Sequence, residues 1–355
     1  MPRSDPTQVP HRRKNILTGE WVLVSPQRTR RPWHGEVSSP SRDRLNAYEP
    51  ECYLCPGNKR SNGERNPSYK RPYVFTNDYA ALLPETVPWK SRSHDLLIAQ
   101  TERGVCRVVC FSPRHDLTLA AMSEKAIEDV VTVWQEEFRS LAADPRIKYV
   151  QIFENKGAMM GCSNPHPHGQ IWAQESIPME PMKEGRQFGS YHRRKKRSLL
   201  GDYAQLELRL RERVVYENRS FIIVVPYWAV WPFETLVISR RKMPNILRLR
   251  ATEKRDFADT LRTMTIKYDN LFETSFPYSA GLHQAPTDGD EHEGWHVHMH
   301  FYPPLLRSAS IRKFMVGYEM LAEPQRDSTP EVSARILKDL PVVHYRDRRK
   351  TSSRA

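Results

Sequence analysis

Apolar and polar positions alternate tightly in Glu20-Trp21-Val22-Leu23-Val24, just after Thr18-Gly19, which predicts one strand of a hairpin. From Ser25 to Leu97 the periodicity fades into a stretch rich in Pro, Arg, Asn and Gly; an ordered loop held by something other than a core is expected there. Regularity returns with Val105 to Phe111 as a strand. Ser123 then stands as an N-cap before Ile127, Val130, Val131, Trp134, Phe138 and Leu141, which fall on one stripe at helical spacing. Tyr149 to Glu154 and Gln170 to Ala173 read as further strands, and the polar run Arg186 to Arg197 as a surface connection between halves.

The second half repeats that order. Phe221 to Val225 and Thr235 to Ser239 read as strands, and Thr252 as the cap of a helix carrying Phe257, Leu261, Met264, Tyr268 and Leu271. Trp295 to Phe301 reads as a strand with Trp295, Val297, Met299 and Phe301 on one side and His296, His298 and His300 on the other. Ser112 to Ser239 is a step of 127, Ser123 to Thr252 one of 129 and His168 to His298 one of 130. A near-constant offset implies internal duplication. Strands in hairpins with few helices predict an α+β fold with mainly antiparallel sheet.

With 355 residues and an apolar fraction of 39%, the chain is long enough for one large domain or two ordinary ones with a real core. No stretch approaches the ~18 to 20 apolar residues of a membrane span, and Met1-Pro2-Arg3-Ser4-Asp5 lacks the apolar segment of a secretion signal. A cytoplasmic enzyme is expected. Five cysteines, an odd number unevenly spread, argue against a disulfide framework. The net charge of +13 suits either a nucleic-acid binder or an enzyme that attracts phosphate-bearing substrates. Much of it lies in Arg12-Arg13-Lys14, Arg193 to Arg197 and Arg346 to Lys350, outside the apolar periodic segments, and reads as solvated loops and a frayed tail.

Cys52-x-x-Cys55, followed by Pro56-Gly57, offers two soft ligands at a spacing that grips one tetrahedral ion; His115 and His166 are candidates for the other two. A redox Cys-x-x-Cys expects a helix beginning at it, which Pro56-Gly57 would end; unpaired thiols are the remaining reading. Cys106 and Cys110 would stand roughly 13 Å apart along a strand, too far to share an ion, and are expected in the core. In His166-Pro167-His168 two imidazoles at i and i+2 leave one face of an extended chain, so one can be ligated while the other stays free. A neutral imidazole is a good nucleophile toward phosphorus and a tolerable leaving group. Gly157, Gly161, Ser163 and Asn164 could hold phosphate oxygens. His296, His298 and His300, with His283 and His292 upstream and Glu184 as a distant carboxylate, suggest a second metal, iron or zinc.

Ser163-Asn164-Pro165-His166-Pro167-His168-Gly169-Gln170-Ile171-Trp172-Ala173 resembles the signature of the galactose-1-phosphate uridylyltransferase family, a branch of the histidine-triad superfamily. The likeness continues in Trp21-Val22-Leu23-Val24-Ser25-Pro26, Cys52-Tyr53-Leu54-Cys55-Pro56-Gly57, Phe75-Thr76-Asn77-Asp78, Ser112-Pro113-Arg114-His115-Asp116, His300-Phe301-Tyr302-Pro303-Pro304-Leu305-Leu306-Arg307-Ser308 and Arg312-Lys313-Phe314-Met315-Val316-Gly317-Tyr318-Glu319. Tyr278 to Pro286 departs from the usual Met-Gly-Trp-His-Gly run at Ala280, Leu282 and Gln284.

The resemblance implies two histidine-triad-like repeats of half-barrel type, 1–185 and 198–355, and ping-pong uridylyl transfer from UDP-glucose to galactose 1-phosphate through His168. It implies structural zinc on Cys52, Cys55, His115 and His166, and a second ion, iron or zinc, on Glu184, His283, His298 and His300. Nucleotide contacts would come from Arg28, Arg31, Asn77, Asp78, Asn155, Gly161, Cys162, Ser163 and Gln170. Lys313, Phe314, Tyr318, Glu319 and Gln325 would come from the partner subunit of a homodimer. Gln170 stands where hydrolytic relatives carry a third histidine; an amide cannot serve as a base for water, so transfer is expected over hydrolysis. Two other classes compete: a histidine-triad hydrolase or phosphorylase, and a zinc-dependent nucleic-acid-binding module.

Overall fold

The computed structural model describes residues 9–30, 45–305, 308–309 and 311–352. In chain order the first half runs β1 (His11–Lys14), β2 (Trp21–Val24), β3 (Tyr73–Thr76), β4 (Lys90–His94), β5 (Leu97–Gln100) and β6 (Gly104–Cys110). Then come α1 (Glu124–Ala142), β7 (Tyr149–Lys156), β8 (His168–Gln174), α2 (Met179–Lys195) and α3 (Leu199–Leu210). The second half continues with β9 (Val214–Glu217), β10 (Phe221–Val224), β11 (Thr235–Ser239), α4 (Ala251–Leu271), β12 (Tyr278–His283) and β13 (His298–Tyr302). The chain closes with α5 (Tyr318–Leu321), β14 (Gln325–Arg326), α6 (Pro330–Asp339) and α7 (Tyr345–Ser352).

Nine strands form one antiparallel sheet in the order β3-β6-β8-β7-β12-β13-β11-β10-β9. The order is palindromic about the β7–β12 pair: β6-β8-β7 on one side mirrors β11-β13-β12 on the other, as two copies of one unit would if joined edge to edge. The α+β, mainly antiparallel expectation holds. Helices α1 and α4 share one face of the sheet, where Trp134, Phe138, Phe257, Leu261 and Met264 pack on Ile152, Ile171, Val237, Met299 and Phe301. Each such buried side chain contributes about 1.5–3 kcal/mol.

The opposite face is treated differently in the two halves, and that difference positions the site. Over the second half, α2 and α3 cover it, with Phe188, Leu200 and Tyr203 against Ile222, Val224, Leu236 and Ile238. Over the first half, β8 alternates buried Gly169, Ile171 and Ala173 with half-buried His168, Gln170, Trp172 and Gln174. The polar row therefore faces an open side.

Several local expectations change. Arg186 to Arg197 is not a surface connection but most of α2, whose buried positions are Pro181, Glu184 and Phe188; its basic residues do remain exposed at the helix C-terminus. The N-cap of α4 is Arg250, whose N–H donates to Glu253 Oε2 at 2.8 Å, so Thr252 lies inside the helix. The last histidine strand begins only at His298, because the Val297 N–H is taken by Met243 O. The loop-rich segment contains β3 and β4, and Arg346 to Lys350 lies in α7 rather than a frayed tail. Cys106 and Cys110 are core, as expected. Among the described residues no helix is long and apolar enough to cross a membrane.

Arg12-Arg13-Lys14 is also not a solvated loop: it is β1, and Arg13 is buried. Its guanidinium lies over the Tyr227 ring and forks onto Glu331 at 2.8 and 3.1 Å, while Arg213 meets the same carboxylate at 2.7 Å. These pairs fasten α6 and the small sheet β1-β2-β14 to the β9 edge of the large one. Burial alone would raise the Glu331 carboxyl, but the two guanidiniums bring it down to about 2. A folded-state value below the unfolded one stabilises the fold above roughly pH 5 and is lost as pH falls toward 2, on the order of 3 kcal/mol. Glu331→Gln should therefore lower the melting temperature at pH 7 and flatten the acid limb of stability between pH 5 and 3. Melts that keep the wild-type acid limb would remove this carboxylate from the account.

Candidate active site and metal centres

Cys52, Cys55, His115 and His166 are all buried, with their ligand atoms within 4.8 Å of one another. Cys55 Sγ lies 3.5 Å from His166 Nδ1 and 3.7 Å from His115 Nδ1. Tetrahedral coordination with ordinary zinc–sulfur and zinc–nitrogen bonds puts sulfur and nitrogen about 3.6 Å apart. His166 approaches Ser112 O through Nε2 at 2.8 Å, which turns Nδ1 toward the thiols; the Asn164 side chain accepts the His166 N–H and touches Cys52 Sγ. Burial pushes the Cys55 thiol up to about 11 and the His166 imidazole down to about 4. The residues fit a divalent ion.

Glu184 of α2, His283 at the end of β12, and His298 and His300 of β13 form a second cluster. Glu184 oxygens lie 2.9 Å from His283 Nδ1, 3.3 Å from His298 Nε2 and 3.3 Å from His300 Nε2. Burial would raise Glu184, but His283 and His298 hold it well below the ordinary carboxylate range. His298 gives its Nδ1–H to His296 O at 2.7 Å, which turns its Nε2, without a hydrogen-bond partner among the described residues, toward a Glu184 oxygen at 3.3 Å. A metal ion between them would engage both the nitrogen and the carboxylate oxygen. His296 is not part of this cluster: it is a satisfied core histidine between Ser239 O and Ser198 Oγ. His292 pairs with Asp288 at 2.7 Å.

The two halves anchor their histidine pairs alike. His166 leans on Ser112 O as His296 leans on Ser239 O, and His168 and His298 each give Nδ1–H to the carbonyl two residues before, at 2.7 Å. One cross-strand row, Gln170–Phe153–Gly281–His300, puts the His168–Gln170 side chains and the His298–His300 pair on the same face of the sheet, three strands or roughly 14 Å apart. Their fates differ. In the second half the imidazole after the anchor meets a carboxylate; in the first, His168 Nε2 accepts no hydrogen bond from any described residue. Burial pushes the His168 imidazole down, toward the neutral form.

Around His168 stand other residues expected in the site. Gln170 Oε1 accepts from Trp172 Nε1 at 3.0 Å and Asn77 Nδ2 at 3.4 Å. Asn155 Oδ1 accepts from Ser279 Oγ at 2.6 Å. Gly157 and Gly161 both have positive φ, 88° and 75°, in the loop that bears Cys162 and Ser163, a conformation that favours glycine. Asn77 and Asp78 line a cleft of about 540 Å³ with Tyr73, Phe75, Arg60 and Arg107, and Arg60 Nη1 reaches to 3.7 Å from Asp78.

A separate group forms elsewhere. Arg28 pairs with Asp327 at 3.1 Å, Asp327 accepts from Gln325, and Lys313 pairs with Glu319 at 2.6 Å, which also accepts the Gln325 N–H. Phe314 and Tyr318 beside them are 58% and 52% exposed. Among the described residues no hydrogen bond or ion pair joins this group to His168, Gln170 or Asn77. Arg31 lies outside the described residues. Sequence reasoning missed Arg60 and the supporting roles of Asn164 and Trp172; Asn two residues before His166 and the i+2 step from Gln170 to Trp172 on a strand were the available signals.

The profile of the family "Galactose-1-phosphate uridyl transferase, N-terminal domain" matches residues 2–178, and that of its C-terminal domain matches residues 184–349. A galactose-1-phosphate uridylyltransferase of Haemophilus influenzae is 51% identical over 346 residues, covering 98% of this chain and 99% of the relative. One of Saccharomyces cerevisiae is also 51% identical, covering 95% and 96%. A solved structure of a uridylyltransferase superposes with a TM-score of 0.73 at 25% identity, over 92% of this chain and 97% of the other. An ADP-glucose phosphorylase of Arabidopsis thaliana, solved with ADP-glucose bound, shares the fold at a TM-score of 0.73 and 22% identity.

Proposed function

Because this chain belongs to the galactose-1-phosphate uridylyltransferase family, and as such transfers uridylyl between hexose 1-phosphates, we propose that His168 carries the group, its free Nε2 beside a His166 held between Cys55 and Ser112 O being the observation that supports it. The His168 Nε2 lone pair forms a bond to the α-phosphorus of UDP-glucose as the bond from that phosphorus to glucose 1-phosphate breaks, the electron pair leaving on the phosphate oxygen. A phosphate oxygen of galactose 1-phosphate then attacks, the N–P bond breaks and its pair returns to Nε2, giving UDP-galactose. No net proton is taken up.

The Nδ1–H bond to His166 O fixes the tautomer that leaves Nε2 nucleophilic. Gln170, and the loop of Gly161, Cys162 and Ser163, would hold the phosphoryl oxygens, and Asn77 and Asp78, in the cleft, and Asn155, across the face, the nucleotide. The repeat 1–185 would hold this machinery, and the repeat 198–355 would bring His283, His298 and His300 to the second metal, with Glu184 reaching it from the end of the first. Zinc on Cys52, Cys55, His115 and His166 would tie the loop-rich segment to the root of β8; the second cluster would hold iron or zinc. Arg28 and Arg31 contact the nucleotide, and Lys313, Phe314, Tyr318, Glu319 and Gln325 complete the site of a partner chain in a homodimer, a role that suits a group joined to its own His168 by no hydrogen bond or ion pair among the described residues. A nucleic-acid-binding role finds no support in the relatives.

Labelled glucose 1-phosphate should pass into UDP-glucose without galactose 1-phosphate, since the first half-reaction is reversible alone. Steady release of UMP from UDP-glucose, with no such exchange, would instead point to a hydrolase.

A further inference from the structure

We propose that Trp172 is a positioning residue that locks the Gln170 amide in one orientation, and so sets whether the uridylyl group goes to a sugar phosphate or to water. The inference rests on the transferase reading above and extends it to a residue outside the reacting groups.

His168, Gln170 and Trp172 project from alternate positions of one strand onto the open face of the sheet. Trp172 Nε1 is donor-only, and its single N–H ends 3.0 Å from Gln170 Oε1. Asn77 Nδ2 approaches the same oxygen at 3.4 Å, a longer contact that supports the orientation without fixing it. With its oxygen engaged twice, the amide can offer only its two N–H groups to the open side. The indole is itself held: its ring stands edge-on to Phe153 at 5.6 Å, and Phe153 pairs with Gln170 across the β7–β8 ladder. Donor, acceptor and ring support thus come from adjacent strands of a rigid sheet.

The chemistry depends on which end of the amide faces phosphorus. Two N–H groups stabilise charge on the phosphoryl oxygens while the N–P bond forms and breaks. A flipped amide would present its carbonyl oxygen, which repels the phosphoryl oxygens and accepts a hydrogen bond from an incoming water. It would slow the first step and help orient water in the second.

Trp172→Phe removes the N–H and keeps a ring against Phe153. We expect kcat for glucose 1-phosphate exchange to fall roughly 10- to 100-fold, KM for UDP-glucose to change much less, and UMP release per transfer to rise severalfold. Zinc content and melting temperature should stay near wild type, since Trp172 is only half-buried. A double-mutant cycle separates positioning from packing: with Gln170→Ala already present, Trp172→Phe should cost almost nothing further.

Wild-type exchange and partition in Trp172→Phe, or full additivity in the cycle, would overturn the proposal. Absence of exchange in the wild-type protein would instead remove the transferase reading on which it rests, so the two failures are distinguishable.

Discussion

His168→Ala should lower uridylyl exchange on the order of 10⁴-fold or more while leaving the fold and both metal complements intact. The asymmetry between two histidines two residues apart is what this variant probes. His166 faces Cys55 through Nδ1 and Ser112 O through Nε2, so both of its nitrogens are engaged. His168 uses Nδ1 on a carbonyl and keeps Nε2 toward the open face. No neighbour can take its place as nucleophile: Cys162, in the adjacent loop, gives its thiol to Asn164 O at 3.1 Å, and burial pushes that thiol up, away from the reactive thiolate. Metal analysis beside the exchange assay reads both halves of the expectation. Loss of an ion together with activity would mean that the two histidines have each other's role.

Cys55→Ser should lose one ion per chain and unfold the 45–72 region at the same time. Its own core is small, with Leu54, Phe75, Val108, Cys110 and the two thiols its buried members, so metal binding supplies much of the free energy that orders it. The loss should be roughly 4 kcal/mol or more, the range reached when a metal site is destroyed. Activity should fall with it, because His168 hangs from the His166 carbonyl and His166 would no longer be pinned. Glu184→Ala should remove the other ion and leave the 45–72 region resistant to protease. A Cys55→Ser protein with its full metal content would dismiss the four-ligand site.

The chemistry proved more legible than the elements around it. His-Pro-His and Cys-x-x-Cys declare themselves by residue type and local spacing, and β8 and α1 follow ordinary alternation and capping, so the histidine pair could be placed on an extended chain beside a metal ligand. Helix α2 could not be read because its buried face bears Glu184, a residue that only a distant cluster of histidines makes reasonable. Arg13 looked like surface charge because its partner is 318 residues away. His296 belonged by pattern to the His298 and His300 face, but the Val297 N–H goes to Met243 O and the His296 ring is taken up by Ser239 O and Ser198 Oγ. In each case a long-range partner outweighed local pattern.

The central claim is that uridylyl rests on His168 Nε2 between the two halves of the exchange. Protein mixed with UDP-glucose labelled in the uridine, without acceptor, then quenched and digested, should yield an acid-labile label on the peptide containing His168. Galactose 1-phosphate added before the quench should discharge that label as UDP-galactose. Label on another residue, or none while exchange proceeds, would contradict the claim.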